Sequence, residues 1–303
     1  MTQRESILPP DMQGVMYETG LRGVGKSYLA TQADIPDNIL YLDFEEKGSA
    51  LHAQLGFGAY YSVIAMAAEK FGPEFKPDQL YTLIKGLVVN VPKDRFTVAV
   101  LDNIQPLEEA FAAEVRRQPL AYGISQQNAA TGKFGGVWPG VNGLVSGFCN
   151  ALYAKGVRLI IAIGHLKSVW ASEGVVPNKY RAKGVERWQE LSILSLTLIP
   201  GENAPVPSAL VQKEQLGRLV YDAEQKRHII QRRLPQRLPS ATFHDIRHYL
   251  EHPADLRSPA PGEVPTDAER APYTDKFNKE QLSYLQLLLR AQLDAEKEES
   301  QSR

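Results

Sequence analysis

The feature that most constrains the fold is a glycine-rich segment near the start of the chain, Gly20-Leu21-Arg22-Gly23-Val24-Gly25-Lys26-Ser27. This segment matches the phosphate-binding pattern G-x-x-x-x-G-K-[ST] at every fixed position. Glycines allow a tight turn that directs consecutive backbone N–H groups at one anion, and a helix beginning there adds its positive dipole end. Such a loop needs a strand before it and a helix after it, which predicts a strand at 15–17 and a helix at 28–33.

The loop predicts a site for the phosphates of a nucleotide. Lys26 is expected to reach the β- and γ-phosphates, and the hydroxyl of Ser27 is expected to coordinate Mg²⁺. The residues predicted to contact the nucleotide lie in the loop or directly after it: Gly20, Gly23, Val24, Gly25, Lys26, Ser27 and Tyr28.

A second metal ligand is predicted at the end of a later strand. Residues 96–101 are mostly apolar, and Asp102 and Asn103 follow them. A central strand of a parallel sheet must be apolar on both faces, and an acid at its carboxyl end is typical of the Walker B pattern. We therefore expect Asp102 to hold Mg²⁺ together with Ser27, directly or through water.

Acidic residues also follow the strand predicted at 39–44, directly after the loop helix. A strand in this position implies a parallel, right-handed βαβ unit, whose carboxyl edge lies beside the phosphate loop. Glu45 is the best candidate for a general base at this edge, and Asp43 and Glu46 are the alternatives.

The order of strands and helices predicts the fold class. They alternate over the first 165 residues, and strands dominate after residue 190. This order predicts a doubly wound α/β core with a mostly parallel central sheet, followed by a strand-rich extension. We expect one domain at 1–234 and a proline-rich, partly helical tail at 235–303, with a short helix at 244–251 and an amphipathic helix at 276–299.

Two stretches lack a regular pattern and are predicted to be irregular. Residues 118–143 are rich in glycine, which predicts a long loop of the kind that is usually functional or disordered. Residues 168–187 interleave basic and aromatic side chains, a mixture that can hold a nucleic-acid backbone and stack bases. A solvated surface loop is the alternative interpretation of the second stretch.

Composition and charge exclude some classes of protein. The 303 residues carry a net charge of −1, so no overall charge indicates a polyanionic partner, although a local basic surface is compatible with this value. The single cysteine, Cys149, excludes an intrachain disulfide and a cysteine-based zinc site, and its apolar surroundings predict a buried side chain. Without a signal peptide or a long apolar run, we expect a cytoplasmic protein with no membrane partner.

Other phosphate-loop families fit less well. The N-K-x-D sequence of Ras-like GTPases is absent, and AAA+ ATPases usually place the catalytic glutamate directly after the Walker B aspartate, where this chain has Asn103. An acid on the strand after the loop helix instead resembles the RecA-like ATPase family. Within that group the chain resembles phage-type ATPases of single-strand annealing and recombination, through Asp43-Phe44-Glu45, Asp102-Asn103 and His165-Leu166-Lys167. The similarity covers about residues 12–232.

The resemblance implies ATP hydrolysis, assembly into a ring or filament, and binding of single-stranded DNA. It implies catalytic roles for Glu45, Lys26 and His165, the last as a sensor of the γ-phosphate. In the sequence Lys213-Glu214-Gln215-Leu216-Gly217, Lys213 corresponds to a cation of the family's K-x-R-x-G turn that reaches the neighbouring subunit's nucleotide. Gln215 replaces the arginine of that turn, which leaves Lys213 and Arg218 for the role.

Three functions follow as hypotheses. The first is a Mg²⁺-dependent ATPase that acts on single-stranded DNA in recombination or annealing. The second is a nucleotide-dependent switch or scaffold that binds a protein partner through the helix at 276–299, and the third is a small-molecule kinase. Kinases of that type usually have an arginine-rich lid over the phosphates, and they transfer phosphate to an acceptor other than water.

Overall fold

The computed structural model describes residues 13–20, 22–132, 136–171, 174–182, 186–199, 207–216, 218–222, 227–231, 233–238 and 240–251. The chain divides into two compact units. The first comprises residues up to 18, together with 27–164 and 184–195. The second comprises the described residues among 19–26, 165–183 and 196–251.

The elements up to residue 163 alternate between strands and helices. In chain order they are β1 (Gly14–Gly20), α1 (Lys26–Ala30), β2 (Ile39–Asp43), α2 (Ser49–Leu55), β3 (Ala59–Ser62), α3 (Val63–Phe71), α4 (Pro77–Asn90), β4 (Val98–Asp102), α5 (Ile104–Arg117), α6 (Gln126–Thr131), α7 (Trp138–Tyr153) and β5 (Leu159–Ile163).

Strands dominate the rest of the described chain. They and the two helices among them are β6 (Leu166–Ala171), β7 (Gly174–Ala182), α8 (Arg187–Leu191), β8 (Ser192–Ile199), β9 (Ser208–Glu214), β10 (Arg218–Asp222), β11 (Arg227–Gln231), β12 (Arg237–Leu238) and α9 (Phe243–Glu251).

Within the described residues, eight strands form one sheet in the order β12-β9-β8-β1-β5-β4-β2-β3. Neighbouring strands from β1 to β3 are parallel, and β12 pairs antiparallel with β9. The connections between parallel strands run through helices, as a crossover requires. The predicted α/β fold with a mostly parallel central sheet and a strand-rich extension is confirmed.

The central strands are continuous apolar runs because both of their faces are covered. Every residue of β2, β4 and β5 is buried. In the register, Asp43 at the end of β2 lies beside Asp102 at the end of β4. The sheet therefore brings both acids to the same carboxyl edge.

The prediction of a loop over 118–143 is wrong for most of that stretch. Within it lie a 3-10 turn at Pro119–Tyr122, the helix α6 and the start of α7. Ser125 caps α6 by accepting a hydrogen bond from the N–H of Asn128 at 3.1 Å. Residues 133–135, including Lys133 and Phe134, lie outside the described residues.

The prediction that 168–187 is irregular is also wrong. The strands β6 and β7 form an antiparallel hairpin over most of this stretch, with a register shift between Ser168 and Trp170.

Helix α7 carries the chain's cysteine. Cys149 is buried, as predicted, and burial raises the pKa of its thiol to about 12. At neutral pH the side chain is therefore a protonated, apolar group rather than a nucleophile.

The second unit continues past residue 234, where the sequence placed a domain boundary. β12 pairs with β9, and the predicted helix at 244–251 is confirmed as α9. Leu238, Phe243 and Ile246 are buried in this part of the chain. The boundary itself stays a prediction, and the helix predicted at 276–299 lies outside the described residues.

Candidate functional site

The phosphate-loop segment begins where β1 ends, at Gly20. Gly23 and Gly25 have φ angles of 75° and 94°, a backbone region that glycine adopts without the penalty other residues meet. Lys26 is buried, and its Nζ donates to the carbonyl oxygen of Gly20 at 3.2 Å. The start of the segment is anchored by Thr19, whose hydroxyl lies 2.9 Å from that of Thr197.

Ser27 and Asp102 meet although 75 residues separate them in the sequence. The Ser27 hydroxyl donates to Oδ2 of Asp102 at 2.5 Å. Ser27 lies in the first turn of α1, and Asp102 is the last residue of β4. The structure thus brings together the two residues that the sequence predicted as metal ligands.

A third side chain, which the sequence did not single out, contacts the same oxygen. The hydroxyl of Tyr41 donates to Oδ2 of Asp102 at 2.6 Å. Tyr41 lies two residues before Asp43 on β2, so both side chains point to the same face of the sheet. Because Asp43 is in register with Asp102, Tyr41 is a diagonal neighbour of Asp102, within reach of its long side chain.

Burial dominates the electrostatics of this cluster. It raises the pKa of Asp102, the hydrogen bonds from Ser27 and Tyr41 lower that pKa, and the carboxylates of Glu45 and Asp43 raise it further. Burial, followed by the charge of Asp102, also raises the pKa of Tyr41, so its hydroxyl keeps its proton and remains a donor. A cation beside Asp102 would offset the cost of the buried charge.

Glu45 is joined to the same edge of the sheet through Asn103. The side-chain amide of Asn103 donates to Oε1 of Glu45 at 2.7 Å, and Lys47 lies 3.3 Å from Oε2. The Asn103 Oδ1 accepts from the N–H of Gln105 at 3.0 Å and so caps α5. The Asp102–Asn103 peptide bond is cis.

The two alternatives to Glu45 have different surroundings. Asp43 is fully buried, and its carboxylate accepts hydrogen bonds from the N–H groups of Glu45 and Gly48 and from the Tyr60 hydroxyl, at 2.8, 2.6 and 2.7 Å. These bonds close the turn after β2. Glu46 is exposed, with a φ angle of 61°.

Two pairs of stacked aromatic rings lie next to this turn. The ring of Tyr41 stacks on Phe57, with centroids 4.9 Å apart and planes 5° from parallel. The rings of His52 and Tyr60 stack at 4.9 Å. Stacked rings of this kind restrict side-chain rotation.

The remaining predicted site residues differ in burial and in the unit to which they belong. Tyr28 is exposed on α1, and Val24 is buried. His165 is half-buried and lies two positions after β5, while Lys213 is half-buried in β9, and both belong to the second unit. Arg218 begins β10, and its side chain is outside the described part of the structure.

The donor set at Ser27 and Asp102 fits a small, hard cation. Hydroxyl and carboxylate oxygens are the protein ligands that Mg²⁺ prefers, with water and phosphate oxygens completing its shell. No cluster of three or more histidine, cysteine, aspartate or glutamate side chains suited to a metal occurs in the described residues.

The profile of a protein family described as an AAA domain matches residues 15–189, more than half of the chain. The chain belongs to this AAA domain family, although it has Asn103 at the position where AAA+ ATPases usually have the catalytic glutamate. The matched residues of this AAA domain protein include the phosphate loop, the strand ends at Asp43 and Asp102, and His165. No curated protein sequence matches the chain significantly.

Two solved structures resemble this AAA domain protein weakly. The RadB recombinase shares 14% identity with a TM-score of 0.38, covering 67% of this chain and 82% of its own. A KaiC-like protein from the hyperthermophilic archaeon Pyrococcus horikoshii shares 13% identity with a TM-score of 0.34, covering 75% of this chain and 92% of its own. Neither likeness bears on function. Among the described residues, no helix is both long enough and apolar enough to cross a membrane.

Proposed function

We propose that this AAA domain protein is a Mg²⁺-dependent ATPase. The observation that carries the proposal is the hydrogen bond of 2.5 Å between the phosphate-loop Ser27 and the strand-terminal Asp102. A phosphate loop alone binds an anion, whereas a hydroxyl and a carboxylate held together beside it supply ligands for a metal ion.

The side chains divide the chemistry among them. Lys26 and the backbone N–H groups of 23–27 hold the phosphates, while Ser27 and Asp102 hold the metal ion. When bound, Mg²⁺ neutralises charge that develops on the phosphate oxygens. Phosphoryl transfer needs little covalent chemistry from the protein, so positioning and charge stabilisation supply most of the rate.

Glu45 orients the attacking water in this proposal. Its carboxylate accepts a hydrogen bond from the water, whose oxygen attacks the γ-phosphorus in line with the bond to the leaving ADP. Asp43 is fully buried and Glu46 is exposed, whereas Glu45 is partly buried and accepts a hydrogen bond from Asn103, the residue after Asp102, which favours Glu45 among the three acids. His165 reads the γ-phosphate, and Lys213 reaches the nucleotide of a neighbouring copy in a homo-oligomer.

The finer proposal is that hydrolysis is coupled to single-stranded DNA, in recombination or annealing. It rests on the resemblance to RecA-like ATPases of the phage type, in which the acid comes from the strand after the loop helix. The basic and aromatic residues of 168–187 support it at the level of sequence, because such residues bind phosphates and stack bases.

The first test is the substitution Lys26→Ala. We expect hydrolysis of Mg²⁺·ATP to fall by about 100-fold or more, because a charge that stabilises the transition state is lost. Lys85→Ala is the matched control, since Lys85 is exposed on α4. Circular dichroism checks that both variants fold. A Lys26→Ala variant with wild-type turnover would contradict the ATPase proposal.

The same assay separates ATPase activity from the proposed role in DNA metabolism. Wild-type hydrolysis is measured with and without single-stranded DNA at two salt concentrations. Stimulation that weakens steeply with salt supports DNA coupling, because phosphate contacts release counterions. Hydrolysis that DNA does not change, without DNA binding, would leave an ATPase and reject DNA coupling. Transfer of phosphate to an acceptor other than water would identify a kinase.

A further inference from the structure

We propose that Tyr41 is a positioning residue for the metal site, acting through the carboxylate of Asp102. The inference rests on the proposed function, since it concerns how the Mg²⁺ ligands are oriented. It starts from the convergence of two donors on one oxygen: Ser27 and Tyr41 both donate to Oδ2 of Asp102, at 2.5 and 2.6 Å.

The two donors have different tasks. The Ser27 oxygen is itself a predicted metal ligand, so its position is constrained by the cation as well as by Asp102. Tyr41 has no such second task in the site, and its hydroxyl can fix Oδ2 independently. A carboxylate held at one oxygen presents the other in a defined direction, which is how groups behind a metal ligand set its geometry.

The surroundings of Tyr41 make it suited to this task. The residue is fully buried in the centre of β2, and its ring is stacked on Phe57. A phenylalanine would fill the same stack, so packing alone does not explain the hydroxyl. A buried hydroxyl needs a hydrogen-bond partner, and here that partner is the predicted metal ligand.

The test compares nucleotide affinity with and without Mg²⁺ rather than turnover. For the wild type, we expect Mg²⁺ to tighten the binding of a fluorescent ADP analogue. In Tyr41→Phe this gain should shrink by about 10-fold, the lower end of the range for residues behind a metal ligand. Affinity measured in EDTA should stay within about twofold of wild type, because the phosphate loop is unchanged.

Tyr60→Phe is the matched control. It removes another tyrosine hydroxyl from the same aromatic group, but that hydroxyl donates to Asp43. We expect its gain from Mg²⁺ to equal that of the wild type. An equal loss in both variants would overturn the proposal, because it would show a general effect of removing a tyrosine hydroxyl from these stacked rings.

A double-mutant cycle distinguishes positioning from a structural role. If Tyr41 acts through Asp102, then Tyr41→Phe has no further effect on the gain from Mg²⁺ in an Asp102→Asn background. Phe57→Leu is a second variant that keeps the hydroxyl but loosens the ring stack, and we expect a loss of about two- to threefold, smaller than that of Tyr41→Phe.

The outcomes keep the two proposals distinct. Wild-type protein that binds no nucleotide would reject the proposed function and the role of Tyr41 with it. Wild-type protein that gains affinity from Mg²⁺, with an unchanged gain in Tyr41→Phe and Phe57→Leu, would reject only the role of Tyr41. Additive losses in the cycle would also reject it.

Discussion

Three acidic residues follow one another closely at the end of β2, and their surroundings give each a different character. Asp43 closes a turn, Glu46 faces solvent, and Glu45 is held by the amide of Asn103. Only Glu45 combines partial burial with a carboxylate tied to the residue that follows Asp102. The backbone of the turn therefore places three carboxylates of nearly identical chemistry in different surroundings.

Glu45→Gln tests whether Glu45 is the acid that orients the attacking water. The amide can still accept from Asn103, but it is a poorer acceptor for the attacking water. We expect turnover to fall by about 100-fold or more while nucleotide affinity stays unchanged. Steady-state hydrolysis and ligand titration measure the two quantities.

Glu46→Gln serves as the comparison for Glu45→Gln. Because Glu46 is exposed, its substitution should leave turnover within about twofold of the wild type, as most surface changes do. A large loss in Glu46→Gln, with near-normal activity in Glu45→Gln, would contradict the assignment of the water-orienting residue.

Among the elements, the turn from β2 to α2 depends on Gly48. A Cβ atom there would lie 3.0 Å from Oδ2 of Asp43, 3.0 Å from the Tyr41 ring and 3.1 Å from the Tyr60 ring. Gly48→Ala must displace these groups, and we expect the free energy of unfolding to fall by about 1–3 kcal/mol. Denaturant titration measures the change.

Gly86→Ala provides a control of opposite sign. Gly86 lies within α4, and a Cβ atom there would meet nothing within 4 Å. Alanine is the better helix former, so this change should stabilise the protein by up to about 1 kcal/mol. Equal effects of the two substitutions would show that crowding around Gly48 is not the cause.

The central elements were predictable because their signals are local. The strands β2, β4 and β5 are apolar on both faces, so each appears as a continuous run in the sequence. Helix α5 has buried side chains at helical spacing, at Ile104, Leu107, Phe111 and Val115. An element with a strong hydrophobic periodicity or a continuous apolar run can be predicted without knowing which other elements pack against it.

The first part of helix α7, residues 138–143, lies in the stretch that was predicted to be a loop, because its helical signal depends on tertiary contacts. Its glycines lower helix propensity and suggest a loop. In the structure, a Cβ atom on Gly140 would lie 2.8 Å from Val115, so the missing side chain lets α7 approach α5 closely. That benefit is visible only once the two helices are packed together.

The sequence predicted the pairing of Ser27 with Asp102, but it did not predict the contact that Tyr41 makes with Asp102. Ser27 and Asp102 follow from recognised patterns, and the structure places them in contact. Tyr41 gave no signal, since a tyrosine in a buried strand is ordinary. Its contact with Asp102 depends on the register between β2 and β4, which the sequence does not specify.

At the scale of the whole molecule, β12 and α9 determine where the chain can be shortened. β12 covers one edge of β9, and the N–H of Val211 donates to the carbonyl of Gln236 at 2.8 Å. A chain ending at residue 234 would lose these bonds and the buried side chains of α9. A chain ending at residue 251 would keep them.

We therefore expect the chain shortened to 1–234 to aggregate or to unfold at lower temperature than the chain shortened to 1–251. An uncovered strand edge is a template for pairing with other chains. Size-exclusion chromatography and thermal unfolding compare the two. Equal solubility and equal melting temperatures would mean that residues 235–251 contribute nothing to the second unit.

The buried state of Cys149 has a practical consequence for spectroscopy. The chain has one cysteine, and its thiol is shielded and protonated at neutral pH. A cysteine introduced at an exposed position would therefore be the fastest-reacting thiol, without removal of the native one. Maleimide dyes or spin labels could then test for assembly and for nucleotide-dependent motion in an otherwise natural sequence.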